Sequence, residues 1–479
     1  MIAAVIIILA IAAVFLAVIL IRATLFVPKD RPQSSAEAVE FDREAAQAAL
    51  AALVRCKTVS YTDHSLEDDR EFEKLIALLP ELYPHVAKVC PMQRLPGRAL
   101  LFHWKGKGTG EPTVLMAHYD VVPVEEENWA KPPFSAIVED GVMWGRGTLD
   151  TKVTFNGILS AADALISQGF TPENDIYFAF SGGEEVNGQG AVNIVRWFGE
   201  RGIVPAMVVD EGGAVVRDVF PGVQEPCALV GIAEKGMLNL EYRVASSGGH
   251  ASAPKPHTPV GRLSMACAKV EAHPFRAHLT KPVLEMFDNL GRRSTFLYRI
   301  IFANLWCFRP VLDMICKKSG GELNALVRTT VAFTQMRGSK APNVIPPSAS
   351  MVANMRLNPE DSVASAVEYI RQTIADPDIE LVVGDHMEPS PISRTDCEGW
   401  RRVVNAVSAT WPGSVVSPYL MVQCSDSRHY RDLSDKVYRF SAMDMTNEER
   451  STIHGNNERI RLEVIGRAVE FFIRLMRQC

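Results

Sequence analysis

The sequence predicts an α/β fold interrupted by a smaller inserted α+β unit, with one transmembrane helix ahead of both. Three observations carry this. Strand-like and helix-like runs alternate from about Phe41 to about Ala233, the pattern of a largely parallel sheet with helical crossovers. A strand-rich stretch begins near Lys235 and gives way to α/β character again after about Ser393. Finally, Ile2–Ile21 (IAAVIIILAIAAVFLAVILI) contains no polar residue.

As a helix, this N-terminal run would rise roughly 30 Å, the thickness of a bilayer core. A buried helix of a soluble protein would show a polar face. A cleaved signal peptide would have a shorter apolar region followed by an A-x-A-like site, and none follows this run before Arg22. A single-pass membrane anchor is therefore expected over residues 1–22, followed by a polar tether over 23–40 that includes KDRPQSSAEAVE. Arg22, Lys29 and Arg31 follow the span and only the terminal amine precedes it. The positive-inside rule would leave the main domain in the cytoplasm.

The remaining elements follow in order. TVLMAHYD (Thr113–Asp120) reads as a buried strand. TKVTFNGILSAADALISQG reads as a helix, with Val153, Phe155, Ile158, Leu159, Ala162, Leu165 and Ile166 at helical spacing. DIYFAF is a strand, AVNIVRWFGERG a helix and MVVD a strand. In the second region LNLEYRVASS, LVRTTVAFTQMRG, ASMVANMRLNP and IELVVGD read as strands, and SVASAVEYIRQTIADP as a helix. That order fits a β-α-β-β-α-β layer, carrying an insertion at about 272–324. The C-terminal ERIRLEVIGRAVEFFIRLMRQ has a core-facing stripe. The expected division is 41–234 and 393–479 for the interrupted α/β domain, and 235–392 for the inserted one.

With 479 residues, 47% hydrophobic and 22% charged, the chain is long enough for two or three domains. A net charge of -6 points to no nucleic-acid partner. Nine cysteines without a C-x-x-C pair argue against a disulfide framework or a zinc knuckle.

The acids fall in a pattern. His118 and Asp120 end one strand, Asp150 precedes a helix, Glu184 and Glu185 end another strand in AFSGGEE, and Asp210 ends a third. Open α/β sheets bind ligands at the carboxyl ends of their strands. One imidazole with several carboxylates suits a divalent ion such as zinc, cobalt or manganese. His454, in TIHGNNERI, supplies a second imidazole. Each feature alone has an ordinary explanation, such as a solvated Glu-Glu loop or a glycine turn. Their regular succession, about one βα unit apart, does not.

The set H-Y-D, G-R-G-T-L-D-T-K, S-G-G-E-E, D-E-G-G, G-G-H-A-S and a late H-G, in that order, resembles the di-zinc aminoacylase and carboxypeptidase S family of metallopeptidases. S-D-S-R-H-Y, Y-R-F and I-H-G-N-N-E look most like the carboxypeptidase S branch, which includes secreted enzymes that make and hydrolyse N-fatty-acyl amino acids. The resemblance implies a zinc-peptidase-like catalytic domain and an inserted lid or dimerisation domain. It implies two divalent ions per subunit, zinc foremost. Asp150 would bridge them, with a cis peptide after it; His118 and Asp210 would complete one site, and Glu185 and His454 the other. Asp120 would orient the His118 ring, and Glu184 would act as general base. His250 would stabilise the oxyanion, and family dimers, in which the partner subunit supplies this residue, imply a homodimer in which it acts in trans. Arg356 would bind a substrate carboxylate, with Asn343 and Arg428 near the same pocket. The family also implies an extracytoplasmic catalytic domain, against the three charges above, and it receives the greater weight.

Thr148, Thr151 and Cys424 depart from residues frequent in the family, and Cys424 bears on pocket shape. His64, His85, His103, His257, His273, His278, His386 and His429 are expected to be structural. The apolar stretch Phe296–Cys316 is interrupted by Arg299, Asn304, Arg309, Pro310 and Asp313, which excludes a second span. Amphipathic helices packed on the inserted domain are expected there, with an acyl-accepting wall or bilayer contact as the alternative. The function that follows is metal-dependent hydrolysis of an amide beside a free α-carboxylate. A dedicated N-fatty-acyl-amino acid hydrolase/synthase and a non-catalytic metal-binding relative are the alternatives.

Overall fold

The computed structural model describes residues 1–29 and 37–479. Residues 30–36 of the expected tether, Arg31 among them, lie outside the described residues. Helix α1 (Ile2–Leu25) is followed by α2 (Arg43–Val54), which starts at Asp42, whose side chain accepts from the Ala45 N–H. Strands β1 (Met92–Leu95), β2 (Ala99–Trp104) and β3 (Thr113–His118) lead to α3 (Lys152–Ser167), β4 (Ile176–Ser181), α4 (Gly190–Glu200), β5 (Met207–Val216) and β6 (Cys227–Glu234). Next come β7 (Gly236–Ala245) and α5 (Pro259–Ala272), then α6 (Lys281–Gly291), α7 (Phe296–Phe302), α8 (Leu305–Ser319) and α9 (Gly321–Val327). After them run β8 (Thr330–Arg337), β9 (Ser348–Leu357), α10 (Val363–Ile374) and β10 (Glu380–Met387). The chain closes with α11 (Glu398–Thr410), β11 (Val415–Met421), β12 (Val437–Asp444) and α12 (Leu462–Met476).

The larger sheet has eight strands in the order β1-β2-β4-β3-β5-β12-β6-β11. Its centre is parallel, with β3 between β4 and β5, and β5 beside β12. Every residue of β3 and β4 is buried, as befits strands covered on both faces. Alternation divides their side chains: Leu115, Ala117, Phe178 and Phe180 join the core beneath α2, α3 and α12, whereas Val114, Met116, Tyr177 and Ala179 pack with Ile194 and Phe198 of α4. The smaller sheet is antiparallel, ordered β8-β9-β7-β10, with its own core of Leu240, Tyr242, Leu263, Met351, Met355 and Ile370.

One expectation is corrected here. The helices of the 272–324 insertion do not pack on the smaller sheet. Val283, Met286, Phe287, Phe302, Leu312 and Cys316 join the core of the larger sheet, with Phe220, Leu229 and Tyr419. An amphipathic stripe shows that a helix needs a covering face, but not which face. α1 is long and apolar enough to cross a membrane, with mean hydropathy 3.5. Of its residues only Ile19 and Ala23 are buried.

Candidate active site

The carboxyl edge of the large sheet gathers the acids. His118 is the last residue of β3. Its Nδ1 lies 3.1 Å from the Asp120 carbonyl and 3.4 Å from Asp120 Oδ1, both acceptors for an Nδ1–H. That leaves Nε2 to face Asp150 Oδ1 at 3.0 Å and Glu211 Oε1 at 3.3 Å. The other Asp150 oxygen, Oδ2, lies 3.0 Å from His454 Nε2, which is also 3.0 Å from Glu185 Oε2. Asp150 thus presents one oxygen to each imidazole. The peptide bond after it is cis.

The loop after β4 makes one 3-10 turn, Glu184–Val186, closed by Asn187 in the left-handed region. The Gly188 N–H donates to the Gly183 carbonyl at 2.7 Å. A Cβ on Gly188 would meet that oxygen at 2.8 Å, which is why the turn needs glycine there. Asp120 accepts from the backbone N–H groups of Glu184 and Glu185, each at 3.2 Å. One carboxylate therefore positions the His118 ring and both glutamates.

Among the expected metal ligands, the structure differs at one position. Asp210 does not enter the acid cluster; its Oδ2 accepts from the Ser427 N–H at 2.8 Å. Its neighbour Glu211 enters instead. Successive strand residues point to opposite faces, so only one of the Asp-Glu pair on β5 can face His118.

The donor set fits divalent cations. His118, Asp150 and Glu185 offer ligand atoms within 4.8 Å of one another, as do His118, Glu184 and Glu211. Glu185 Oε1 is buried without a hydrogen-bond partner among the described residues. Burial, with repulsion from Asp150, pushes Glu185 up to about 7. Burial pushes Glu211 to about 7 as well, and raises Glu184 well above the usual carboxylate range, Asp426, Glu211 and Glu185 adding repulsion. So many carboxylates in so little water call for positive charge.

The expected substrate-binding residues divide. Arg428 stands beside Glu184, its Nη1 3.9 Å from Oε1, while Nη2 donates to Asn187 Oδ1 at 3.0 Å. Arg356, on β9, donates to Cys424 Sγ at 3.4 Å. Cys424 lines a cavity of about 600 Å³ together with Asp150, Glu184, Glu185, Glu211 and His454. His250 and Asn343 lie together elsewhere. Both are exposed at a short strand pair, His250 on it opposite Val344 and Asn343 in the turn just before it, with Ser252 Oγ 2.8 Å from His250 Nδ1. Neither lines the cavity. Of the other histidines, His103 stacks on Tyr177 and pairs with Asp175, and burial pushes His429 down to about 4.

Beyond Glu211, the sequence reasoning missed a support beneath Asp150. Buried Glu458 accepts from Arg146 Nη1 at 2.6 Å, Gly147 N at 3.0 Å, Leu149 N at 2.6 Å and Asp150 N at 3.2 Å. It also missed the buried Glu234–Arg439 pair, whose Glu234 accepts from Ser425 and Ser427, beside the Asp210 contact. Glu458, Arg146 and Arg439 all lie in motifs quoted above, H-G-N-N-E, G-R-G-T-L-D-T-K and Y-R-F, but nothing local in the sequence pairs them.

The model of the family described as "Peptidase family M20/M25/M40" matches residues 114–478. A protein described as an N-fatty-acyl-amino acid synthase/hydrolase from Xenopus tropicalis is 36% identical, the match covering 92% of this chain and 87% of that one. A probable carboxypeptidase S-like protein of Dictyostelium discoideum is 34% identical over 89% of this chain and 84% of its own. The fold is shared with an M20 family metallo-carboxypeptidase from Sulfolobus solfataricus, with TM-score 0.66 and 16% identity, covering 90% of this chain and 98% of that one. With strand ends, acid cluster and whole-length likeness in agreement, the chain belongs to peptidase family M20/M25/M40 and is a hydrolase of the metallopeptidase kind.

Proposed function

We propose that the chain hydrolyses an amide bond beside a free α-carboxylate, using two divalent cations, with zinc foremost and cobalt or manganese as alternatives. The observation that supports this most is the placement of the two Asp150 oxygens, one toward each imidazole. His118, Asp150 and Glu211 would hold one cation, and Asp150, Glu185 and His454 the other. Bound there, the cations would polarise the scissile carbonyl and acidify a water. Glu184 takes the proton of the attacking water as its oxygen bonds to the carbonyl carbon. As the C–N bond breaks, Glu184 returns that proton to the leaving nitrogen. Arg428 stands beside Glu184, Nη1 3.9 Å from Oε1. Arg356 would pair with the substrate carboxylate.

The finer reading, an N-fatty-acyl-amino acid substrate, is favoured by the cavity wall. Val216, Leu229, Met421, Met443, Met445 and Ile453 line the same cavity as Glu184, an adaptable apolar surface suited to an acyl chain. The relative from Xenopus tropicalis, so named, supports the same reading. We further infer a single-pass anchor at α1 and an extracytoplasmic body. Two of the three cations that argued for the other side are paired with the body, Arg22 with the Ala303 carbonyl and Lys29, at the surface, with Asp288 at 2.9 Å. The smaller sheet would serve as lid and dimerisation surface, which the position of His250 away from the acid cluster supports.

The test compares an N-acyl amino acid with its carboxamide, each with and without chelator, using full-length protein in detergent. Chelator-sensitive cleavage of the free acid alone is expected. Equal cleavage of both would remove Arg356 from its role, and chelator-insensitive cleavage would refute the metal site. Protease accessibility of the body on intact cells tests the sidedness.

A further inference from the structure

The insertion helices α7 and α8 meet at a corner, Ala303–Asn304, that is fastened to the side of α1. Arg22 of α1 donates through Nε and Nη2 to the Ala303 carbonyl, at 3.1 and 2.9 Å, and through Nε to Asn304 Oδ1 at 3.1 Å. Asn304, fully buried, returns a bond from Nδ2 to the Ile19 carbonyl at 3.1 Å and another to Ile300. The Trp306 indole N–H is also satisfied inside this knot, by Asn304 Oδ1 at 3.3 Å. The Trp306 ring meets the Phe15 ring edge-on at 5.7 Å. Farther along, Arg292, which follows α6, lies 4.4 Å from the Phe26 ring and donates to the Val27 carbonyl. The anchor is therefore docked along its C-terminal half.

The same corner leaves large apolar side chains uncovered even with α1 in place. Leu297 is 71% exposed, Met314 61% and Trp306 56%, with Val311 and Ile315 beside them. A water-facing corner would be expected to do the opposite: hide the rings and offer its polar atoms to solvent. Here Arg22, Asn304 and the Trp306 N–H are satisfied internally while large apolar side chains face outward, as hydrocarbon demands; Arg309, one turn along α8 from Trp306, stays exposed, and its long side chain can reach headgroups.

Depth follows from the contacts. Phe15 lies seven residues before Arg22, which is roughly 10 Å along a helix axis. If Arg22 sits at the edge of the bilayer core, Trp306 lies well inside it, within the depth range of interfacial helices. Lys317 and Lys318 end α8, where long cationic side chains can reach lipid headgroups.

We propose that the α7–α8 corner enters the same bilayer as α1, as a monotopic wedge beside the spanning helix. The proposal rests on α1 spanning a membrane. Its consequence is local: α9, the next helix, supplies Gly321, Glu322 and Ala325 to the wall of the active-site cavity. The wedge would therefore hold that wall one helix away from lipid, on the path of a substrate with a long apolar chain.

The test uses the full chain in phosphatidylcholine vesicles, with and without brominated acyl chains, and flotation as a separate readout. Six of the seven tryptophans lie outside the insertion, so quenching by bromine should come mainly from Trp306. Trp306→Phe is expected to abolish at least two thirds of it while flotation is retained. A Leu297→Glu/Met314→Glu double variant, with Trp306 present and the circular dichroism melt unchanged, should also lose most of the quenching. Flotation with equal quenching in wild type and Trp306→Phe would overturn the wedge but keep the anchor; a second copy of the chain covering the patch would give this result. Failure to float would overturn the anchor, and the wedge with it.

Discussion

Replacing Glu458 by glutamine keeps the size of the side chain and removes what Asp150 leans on. In the wild type, Oε2 accepts from Arg146 Nη1 and Gly147 N, and Oε1 from Leu149 N and Asp150 N. A glutamine oxygen can serve one of these pairs; its NH₂ group would face the other two donors. Arg146, 2% exposed, would keep its charge without a counter-ion. Removing one partner of a buried ion pair costs about 3–5 kcal/mol. Loss of an outer support for a metal ligand typically costs about 10–100-fold in metal affinity or activity. Glu458→Gln should therefore lower the urea midpoint by that free energy divided by the m-value and weaken metal retention in a chelator-competition titration by one to two orders of magnitude. An Arg146→Met/Glu458→Met double variant should lose less stability than the glutamine variant, because no buried charge is left alone, while metal affinity stays low. An unchanged midpoint together with unchanged metal affinity in Glu458→Gln would refute the reasoning.

Other expectations concern single contacts. Glu211→Gln should lower metal content by about one ion per chain, whereas Asp210→Asn should leave both ions bound and act on the Ser427 loop; elemental analysis separates them, and the reverse result would restore Asp210 as a ligand. If His250 acts across a dimer, mixing inactive His250→Ala and Glu184→Gln chains should recover activity that neither has alone, and no recovery would place His250 within its own subunit or outside the reaction. Lys235, 1% exposed, is pushed from 10.5 down to about 7, by burial first and Arg356 second. Between those values the unfolded lysine carries a proton that the folded one lacks, so this group makes stability rise with pH by up to about 1.4 kcal/mol per unit, its cost being complete below about 7. Lys235→Met should flatten that part of a denaturation-versus-pH profile, and an unchanged slope would count against the burial argument.

Much of the site was legible because strand ends announce themselves. His118, Glu184 and Glu185 each follow an apolar run, and Asp150 precedes a strongly periodic helix, so their common edge could be read from order alone. The choice between Asp210 and Glu211 could not, since it depends on the phase of β5, and a strand buried on both faces shows no alternation to fix it. Glu458 and Arg146 lie more than three hundred residues apart in the chain, and no local pattern links them. The insertion helices showed stripes needing cover, but their partners, β11 and α1, are distant in sequence. Asn304 read there as an interruption of an apolar run. In the fold it is the joint between that run and α1.

The most direct test of the two-metal account with Glu184 as base is metal content and turnover, measured side by side in wild type and Glu184→Gln, full length and in detergent. The account predicts two divalent ions in both proteins and a fall in kcat of about 10²–10⁴ in the variant. Two ions bound with turnover unchanged would contradict it.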